Sequence, residues 1–200
     1  MKKLWSRFRH WHVGGWWLAL LIIPSVTAVI PPLRWMAGYT VGTSAMLRLI
    51  LPGLILGFIS GFAEEFGWRG FLPPQLLKRI SPLAATLLVG LVWGGLWHGY
   101  ADFLGLGDKG NATWALVFFV GPCLLTAWPL IMTSAYERTK GSLPFSILIH
   151  ASLSSSALIF GQSYASINEE ILWNGISVGA AFLGSAIIWL ATHRVRTSQS

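Results

Sequence analysis

Acidic residues are scarce in this chain, seven in 200, and charged residues of both signs together make up only 10%. A soluble domain needs a better solvated surface than that. With hydrophobic residues at 54% and a mean hydropathy of +0.62, the composition excludes that class in favour of a polytopic membrane protein. There is one cysteine, Cys123, so no intrachain disulfide can form and no cysteine-based metal site is suggested; inside its apolar run it reads as a packing residue. The chain has no internal repeat, no low-complexity tract and no HExxH segment. The missing repeat, with a single polar cluster, speaks against a transporter built from two related halves. The net charge of +7 does not signal nucleic acid, because Lys and Arg fall in short clusters between apolar runs, where membrane topology explains them.

What is present is a series of apolar runs near the ~20 residues that cross a bilayer. Six spans are expected, at about 14–32, 46–71, 82–100, 113–133, 143–161 and 171–191, giving an all-α polytopic membrane helical bundle of about six transmembrane helices. Residues 1–13 form a basic lead-in, 14–191 a single transmembrane helical domain and 192–200 a basic tail. The lead-in, MKKLWSRFRHWH, carries the charge of a signal peptide's start. A retained helix is expected instead of a cleaved signal, because GGWWLALLIIPSVTAVI is long enough to span and no small-x-small cleavage site follows.

Lys2, Lys3, Arg7, Arg9, Lys78, Arg79, Arg138, Lys140, Arg194 and Arg196 all fall on one side of a six-span arrangement, against Arg34, Arg48 and Lys109 on the other. Ten against three makes the first side cytoplasmic, so both termini are expected there and the loop at Asp102 to Asn111 outside.

Inside the spans stand Glu64, Glu65, Arg69, His98 and His150. Each charged group costs roughly 2.5 to 3.5 kcal/mol at the centre of a membrane helix, so a cluster of them marks a functional site facing protein or a watery cavity. Gly53, Gly57, Gly61 and Glu65 recur every four residues, as do Gly90, Gly94 and His98, and Ser146, His150 and Ser154. Such small-residue stripes let helices approach closely, which would gather the three polar groups in one pocket. Equally, Gly and Ser favour packing throughout membrane bundles. Within the second span Glu65 and Arg69 stand at i and i+4, the favourable order for a helical ion pair. Glu64 points about 100° away and has no such partner, which leaves it able to take a proton as a general base. The plainer alternative is a structural knot of all three charges.

These residues carry a resemblance. EEFGWRG matches the EExxxR motif of the CPBP family of intramembrane proteases, the CAAX prenyl endopeptidases and bacteriocin-processing proteins also called the Abi family. The segments FLPPQLLKR, WGGLWHG and IHASLSS fall where that family places its other motifs, and the likeness covers about residues 44–160. The resemblance implies an endopeptidase in which Glu64 activates water together with His98, Glu65 and Arg69 hold the architecture, and His150 helps to stabilise the oxyanion. Two positions depart from the family pattern. Gly94 replaces an aromatic often found four residues before the first histidine, with Trp93 adjacent, and Ser154 replaces an asparagine often found four after the second.

Peptide hydrolysis needs a nucleophilic water, a base and donors for the tetrahedral oxyanion, and this set supplies all three. The expected partners are the lipid bilayer and a peptide or protein substrate, with no nucleic acid. No cofactor is favoured. Zinc held by Glu64, His98 and His150 is the alternative, but it would transfer the base role to Glu65, which Arg69 occupies. An inactive family member serving as a membrane immunity or scaffold protein is the second functional class, and Ser154 is the residue that keeps it open.

Overall fold

The computed structural model describes residues 2–98, 121–161 and 164–197, and among them every regular element is helical. The expected external loop at Asp102 to Asn111 and the start of the expected fourth span lie outside the described residues, as do the side chains of His98 and Cys123. Helix α1 is Lys2–Ser6, followed by a 3-10 turn at Arg7–Arg9. A second 3-10 segment, Gly14–Leu18, leads into α2 (Ala19–Ala28) and α3 (Ile30–Met36). Then come α4 (Thr43–Trp68), the short α5 (Leu72–Leu76) and α6 (Pro82–Gly90), which continues as a π-helix over Leu91–His98. Helices α7 (Gly121–Arg138), α8 (Leu143–Phe160) and α9 (Ile167–Thr197) complete the order.

Four of the described helical stretches are long and apolar enough to cross a membrane: Gly14–Met36, Thr43–Leu76, Leu143–Phe160 and Ile167–Leu190. They correspond to the first, second, fifth and sixth expected spans. Within the described residues the third expected span holds a shorter apolar helix, Pro82–Gly94, and α7 carries the end of the fourth and runs on to Arg138. The fold is an all-α membrane bundle.

The chain divides into two compact units, Met1–Pro74 with Ala135–Ser163, and Gln75–Ser134 with Tyr164–Ser200. In the first, α4 and α8 run antiparallel in close contact. A Cβ built at Gly53 would lie 2.7 Å from Ile159 Cγ1; at Gly57, 2.6 Å from the Ser155 amide nitrogen; at Gly61, 2.7 Å from the Ile147 carbonyl oxygen. No side chain fits in those gaps, so the glycine stripe is a helix–helix seam. Its counterpart on α8 is Ile147, Ala151, Ser155 and Ile159, one residue on from the expected row of Ser146, His150 and Ser154. That correction follows from side-chain volume. The glycines leave room for the α8 backbone itself, and the polar row is turned away from the seam's centre.

The start of α8 is legible locally. Ser142 caps it, accepting from the Phe145 amide at 3.3 Å, and Pro144 needs no amide partner in the first turn. Before it, Lys140 and Gly141 take positive φ of 54° and 73°, and the Gly141 amide donates to the Tyr136 carbonyl at 2.8 Å, which ends α7. The lead-in packs on this corner. Arg7 Nη1 donates to the Gly70 carbonyl at 3.1 Å, and its guanidinium lies 5.8 Å from the centre of the Tyr136 ring. His10 Nδ1 lies 3.1 Å from the Lys140 carbonyl, Ser142 Oγ donates to the His10 carbonyl, and Trp5 and Phe8 stack beside Phe66. Arg34, expected in an external loop, sits in α3 and is buried, with Nη2 3.5 Å from the Thr40 carbonyl.

In the second unit Ser81 caps α6 by accepting from the Ala84 amide at 3.3 Å, and a Cβ at Gly90 would meet Thr126 of α7 at 2.8 Å. The π-helical stretch bonds i to i+5. The expected Gly90, Gly94 and His98 row therefore passes from α-helix into π-helix after Gly90. At the start of α9 Ser166 Oγ accepts from the Glu169 amide at 3.2 Å while Glu169 Oε2 accepts from the Ala165 amide at 2.9 Å. This is a reciprocal cap that accounts for an acid at a span's mouth.

Candidate active site

All the polar residues described in full at the candidate site belong to the first unit and lie where the α4–α8 seam ends. One helical turn past Gly61 the buried face of α4 carries Glu65, fully buried, and one turn further Arg69, 1% exposed. Arg69 Nη1 donates to Glu65 Oε1 at 2.8 Å, the ion pair expected from the spacing. The chain leaves α4 at this point, with the Gly70 amide donating to the Glu65 carbonyl at 2.7 Å.

His150 reaches the same carboxylate from α8. It is buried, and its Nδ1 lies 2.7 Å from Glu65 Oε1. A carboxylate paired with a guanidinium accepts hydrogen bonds and donates none, so Nδ1 carries the proton and donates. This fixes the plane of the ring. The opposite edge, Nε2, then faces Glu64, with Oε2 at 3.9 Å. Glu65 Oε2 accepts no hydrogen bond from the described residues. Glu65 thus has two charged or polar partners on one oxygen, whereas the sequence pattern supplied only Arg69.

Glu64 differs from the expectation of an unpartnered acid. Ser60 Oγ donates to its Oε1 at 3.2 Å and Trp68 Nε1 donates to its Oε2 at 3.1 Å. Its side chain is 19% exposed, so it is the accessible member of the pair. The signal for both partners was in the sequence: Ser60 and Trp68 stand four before and four after Glu64, on its own helical face.

Ser154 lies one turn after His150 on α8, half-buried, and its hydroxyl makes no hydrogen bond among the described residues, in contrast to Ser152 and Ser156, which bond the carbonyls of Ile149 and Leu153. His98 ends the π-helical stretch of the second unit, and its side chain lies outside the described residues. The structure therefore brings together Glu64, Glu65, Arg69 and His150.

Among the described residues no group of three His, Cys, Asp or Glu is arranged to hold a metal. Of the zinc alternative, Glu64 and His150 are in place. Their 3.9 Å gap is wider than the ~3.3 Å expected of two ligands each ~2.0 to 2.1 Å from a tetrahedral ion.

No curated protein matches the chain. A family model does, that of the type II CAAX prenyl endopeptidase Rce1-like proteins, over residues 46–156. That interval opens near the start of α4, contains the whole of the Glu64, Glu65, Arg69 and His150 cluster, and ends within α8. The match spans more than half of the 200 residues, and the chain belongs to the type II CAAX prenyl endopeptidase Rce1-like family.

Proposed function

We propose that this protein is an intramembrane endopeptidase that hydrolyses a peptide bond with a water activated by Glu64. The observation that carries the reading is the pair of groups facing each other across 3.9 Å, Glu64 Oε2 and His150 Nε2, with Glu65 holding the histidine from behind. A water ~2.8 Å from each would be in hydrogen-bond contact with both. Glu64 takes its proton as it attacks the scissile carbonyl and passes that proton to the leaving amine. His150, as imidazolium with Glu65 as carboxylate partner, has an Nε2 proton to donate to the tetrahedral oxyanion. Arg69 holds Glu65 and does not touch substrate. The order of the family's motifs assigns His98 a part in activating the water.

No metal is needed in this scheme. Both oxygens of Glu64 already accept hydrogen bonds from Ser60 and Trp68, which suits a base better than a metal ligand. The substrate is a peptide or protein at the bilayer, and a prenylated Cys-a-a-X terminus is the first candidate because the family's name specifies it. Both termini lie on the cytoplasmic side, a placement supported by the ten-to-three distribution of basic residues. The alternative of an inactive scaffold or immunity protein rests on Ser154, which stands where the family pattern often has asparagine.

The test is cleavage of an internally quenched, farnesylated Cys-a-a-X peptide, and of a diverse peptide mixture, by protein purified in detergent. Glu64→Gln is expected to abolish cleavage without lowering the melting temperature, and thorough chelation is expected to leave the wild type active. Near-native turnover in Glu64→Gln would show that the base is elsewhere. Stoichiometric zinc that tracks activity would reverse the metal assignment.

A further inference from the structure

We infer that Ser60 and Trp68 are positioning residues that aim the Glu64 carboxylate, an assignment that rests on the reading of Glu64 as the base. The two lie one turn before and one turn after it, and each donates to a different oxygen: Ser60 Oγ to Oε1 at 3.2 Å, Trp68 Nε1 to Oε2 at 3.1 Å. A glutamate side chain has three torsions and, on a partly exposed helix face, many orientations open to it. One donor on each oxygen defines both the position of the carboxylate and its plane. Displacement of a reacting group by about 1 Å costs as much as ~10² in rate, so such a clamp acts on turnover.

Two features separate this arrangement from ordinary helix decoration. Several helix serines turn their hydroxyls back to the carbonyl three or four residues earlier, as Ser25 does to Leu21, Ser146 to Ser142, Ser177 to Trp173, Ser152 to Ile149 and Ser156 to Leu153. Ser60 gives its hydroxyl to the acid instead. Trp68, for its part, binds the oxygen that faces His150 Nε2, and an indole N–H is a donor only. It restrains that oxygen without competing for the proton Glu64 must take up. The EExxxR pattern names neither residue.

The test uses the full-length protein and the farnesylated quenched peptide. Trp68→Phe keeps an aromatic ring and removes the N–H; Ser60→Ala removes the hydroxyl, and Ser60→Thr restores it. Trp68→Phe and Ser60→Ala are each expected to lower kcat about tenfold, with KM and melting temperature unchanged. Ser60→Thr should keep wild-type kcat, and the double variant should lose about 10². Independently of turnover, the indole 15N–1H resonance assigned to Trp68 by its absence in Trp68→Phe should move in Glu64→Gln.

A Trp68 resonance unmoved in Glu64→Gln overturns the clamp. So does a kcat per folded molecule at the wild-type level in both Trp68→Phe and Ser60→Ala, whether or not the melting temperature falls. A rise in KM at constant kcat also overturns it, since that would make these residues substrate contacts. If Glu64→Gln loses turnover while both variants keep it, this inference alone fails. If Glu64→Gln keeps turnover, the assignment of the base fails and takes the inference with it.

Discussion

The two ends of α4 solve opposite problems. From Gly53 to Gly61 the stripe offers no side chain of its own to α8, so the Ile159 side chain and the backbone at Ile147, Ala151 and Ser155 lie directly against the glycines. From Ser60 to Arg69 it carries a dense polar set: one ion pair, one histidine contact and two side-chain donors on a second carboxylate. The apolar end supplies no chemistry, yet it sets the distance at which the polar end works. Only because the two backbones touch at Gly57 and Gly61 does His150, on the far helix, come within 2.7 Å of Glu65. The charges are then stabilised by partners that close packing brings to them.

Substitutions at Gly57, at the Glu65 and Arg69 pair and at Arg7 break this comparison at successively smaller cost, and Ser154→Asn sharpens it. Gly57→Leu should have the largest effect. Its Cβ would stand 2.6 Å from the Ser155 amide and 2.8 Å from the Ala151 carbonyl oxygen, and backbone cannot move aside as a flexible side chain can. The helices must separate, so little folded protein is expected after extraction, read by size-exclusion chromatography in detergent. A normal yield with normal activity would show that α8 can shift without disturbing the site.

Glu65→Ala and Arg69→Ala come next. Each leaves its partner as a buried charge, at about 3 to 5 kcal/mol, so both melting temperature and turnover should fall, in contrast to Glu64→Gln. Glu65→Gln separates the two effects: it keeps the volume and loses the charge that pairs with Arg69. A smaller loss is expected from Arg7→Ala, which removes a charge-assisted hydrogen bond to the Gly70 carbonyl, about 1.5 to 3 kcal/mol, and a cation–π contact worth about 0.5 to 1 kcal/mol. Thermal denaturation should show it, with kcat reduced less than the melting temperature would suggest if Arg7 serves the corner and not the chemistry.

Ser154→Asn tests the polar end at its edge. Asparagine reaches further than serine and offers two donors. With the serine hydroxyl unengaged among the described residues, the substitution should raise kcat by up to about tenfold, a fraction of the ~10² to 10³ that a lost oxyanion donor costs. Unchanged kcat in both Ser154→Asn and Ser154→Ala would remove the position from the oxyanion site. Activity appearing only in Ser154→Asn would favour the scaffold reading of the natural chain.

Much of the site was legible without coordinates, because a helix converts sequence spacing into direction. Glu65 and Arg69 four apart had to share a face, and Glu64 had to point elsewhere. The same rule, applied to Ser60 and Trp68, reveals the donors on Glu64; they escape notice when a charged group is expected to find a charged partner. The Ser146, His150 and Ser154 row was assigned to the seam because periodicity identifies a face without saying which neighbour it meets. The row one residue on, Ile147 to Ile159, packs against the glycines instead, which leaves His150 at the seam's flank, where a ring can reach around to Glu65. The π-helical stretch of the third span was not legible in this way. Nothing in WGGLWHG distinguishes a π-turn from an α-turn, since the two differ by a single residue per turn in backbone bonding.

The sequence by itself determined the class, the helices and the face on which each charge lies, since hydropathy over ~20 residues and a fixed angle per residue are local properties of the chain. It also determined that Glu65 would be the paired acid of the two. Tertiary structure alone decided that His150 takes Glu65 as its hydrogen-bond partner and only faces Glu64, a choice between carboxylates that are neighbours in sequence but 85 residues or more from the histidine. The depth and rotation of α8 against α4 set that choice, and these depend on how glycine gaps and the side chains of Ile147, Ala151, Ser155 and Ile159 fill the same space. No local rule contains that information, because it belongs to two surfaces at once.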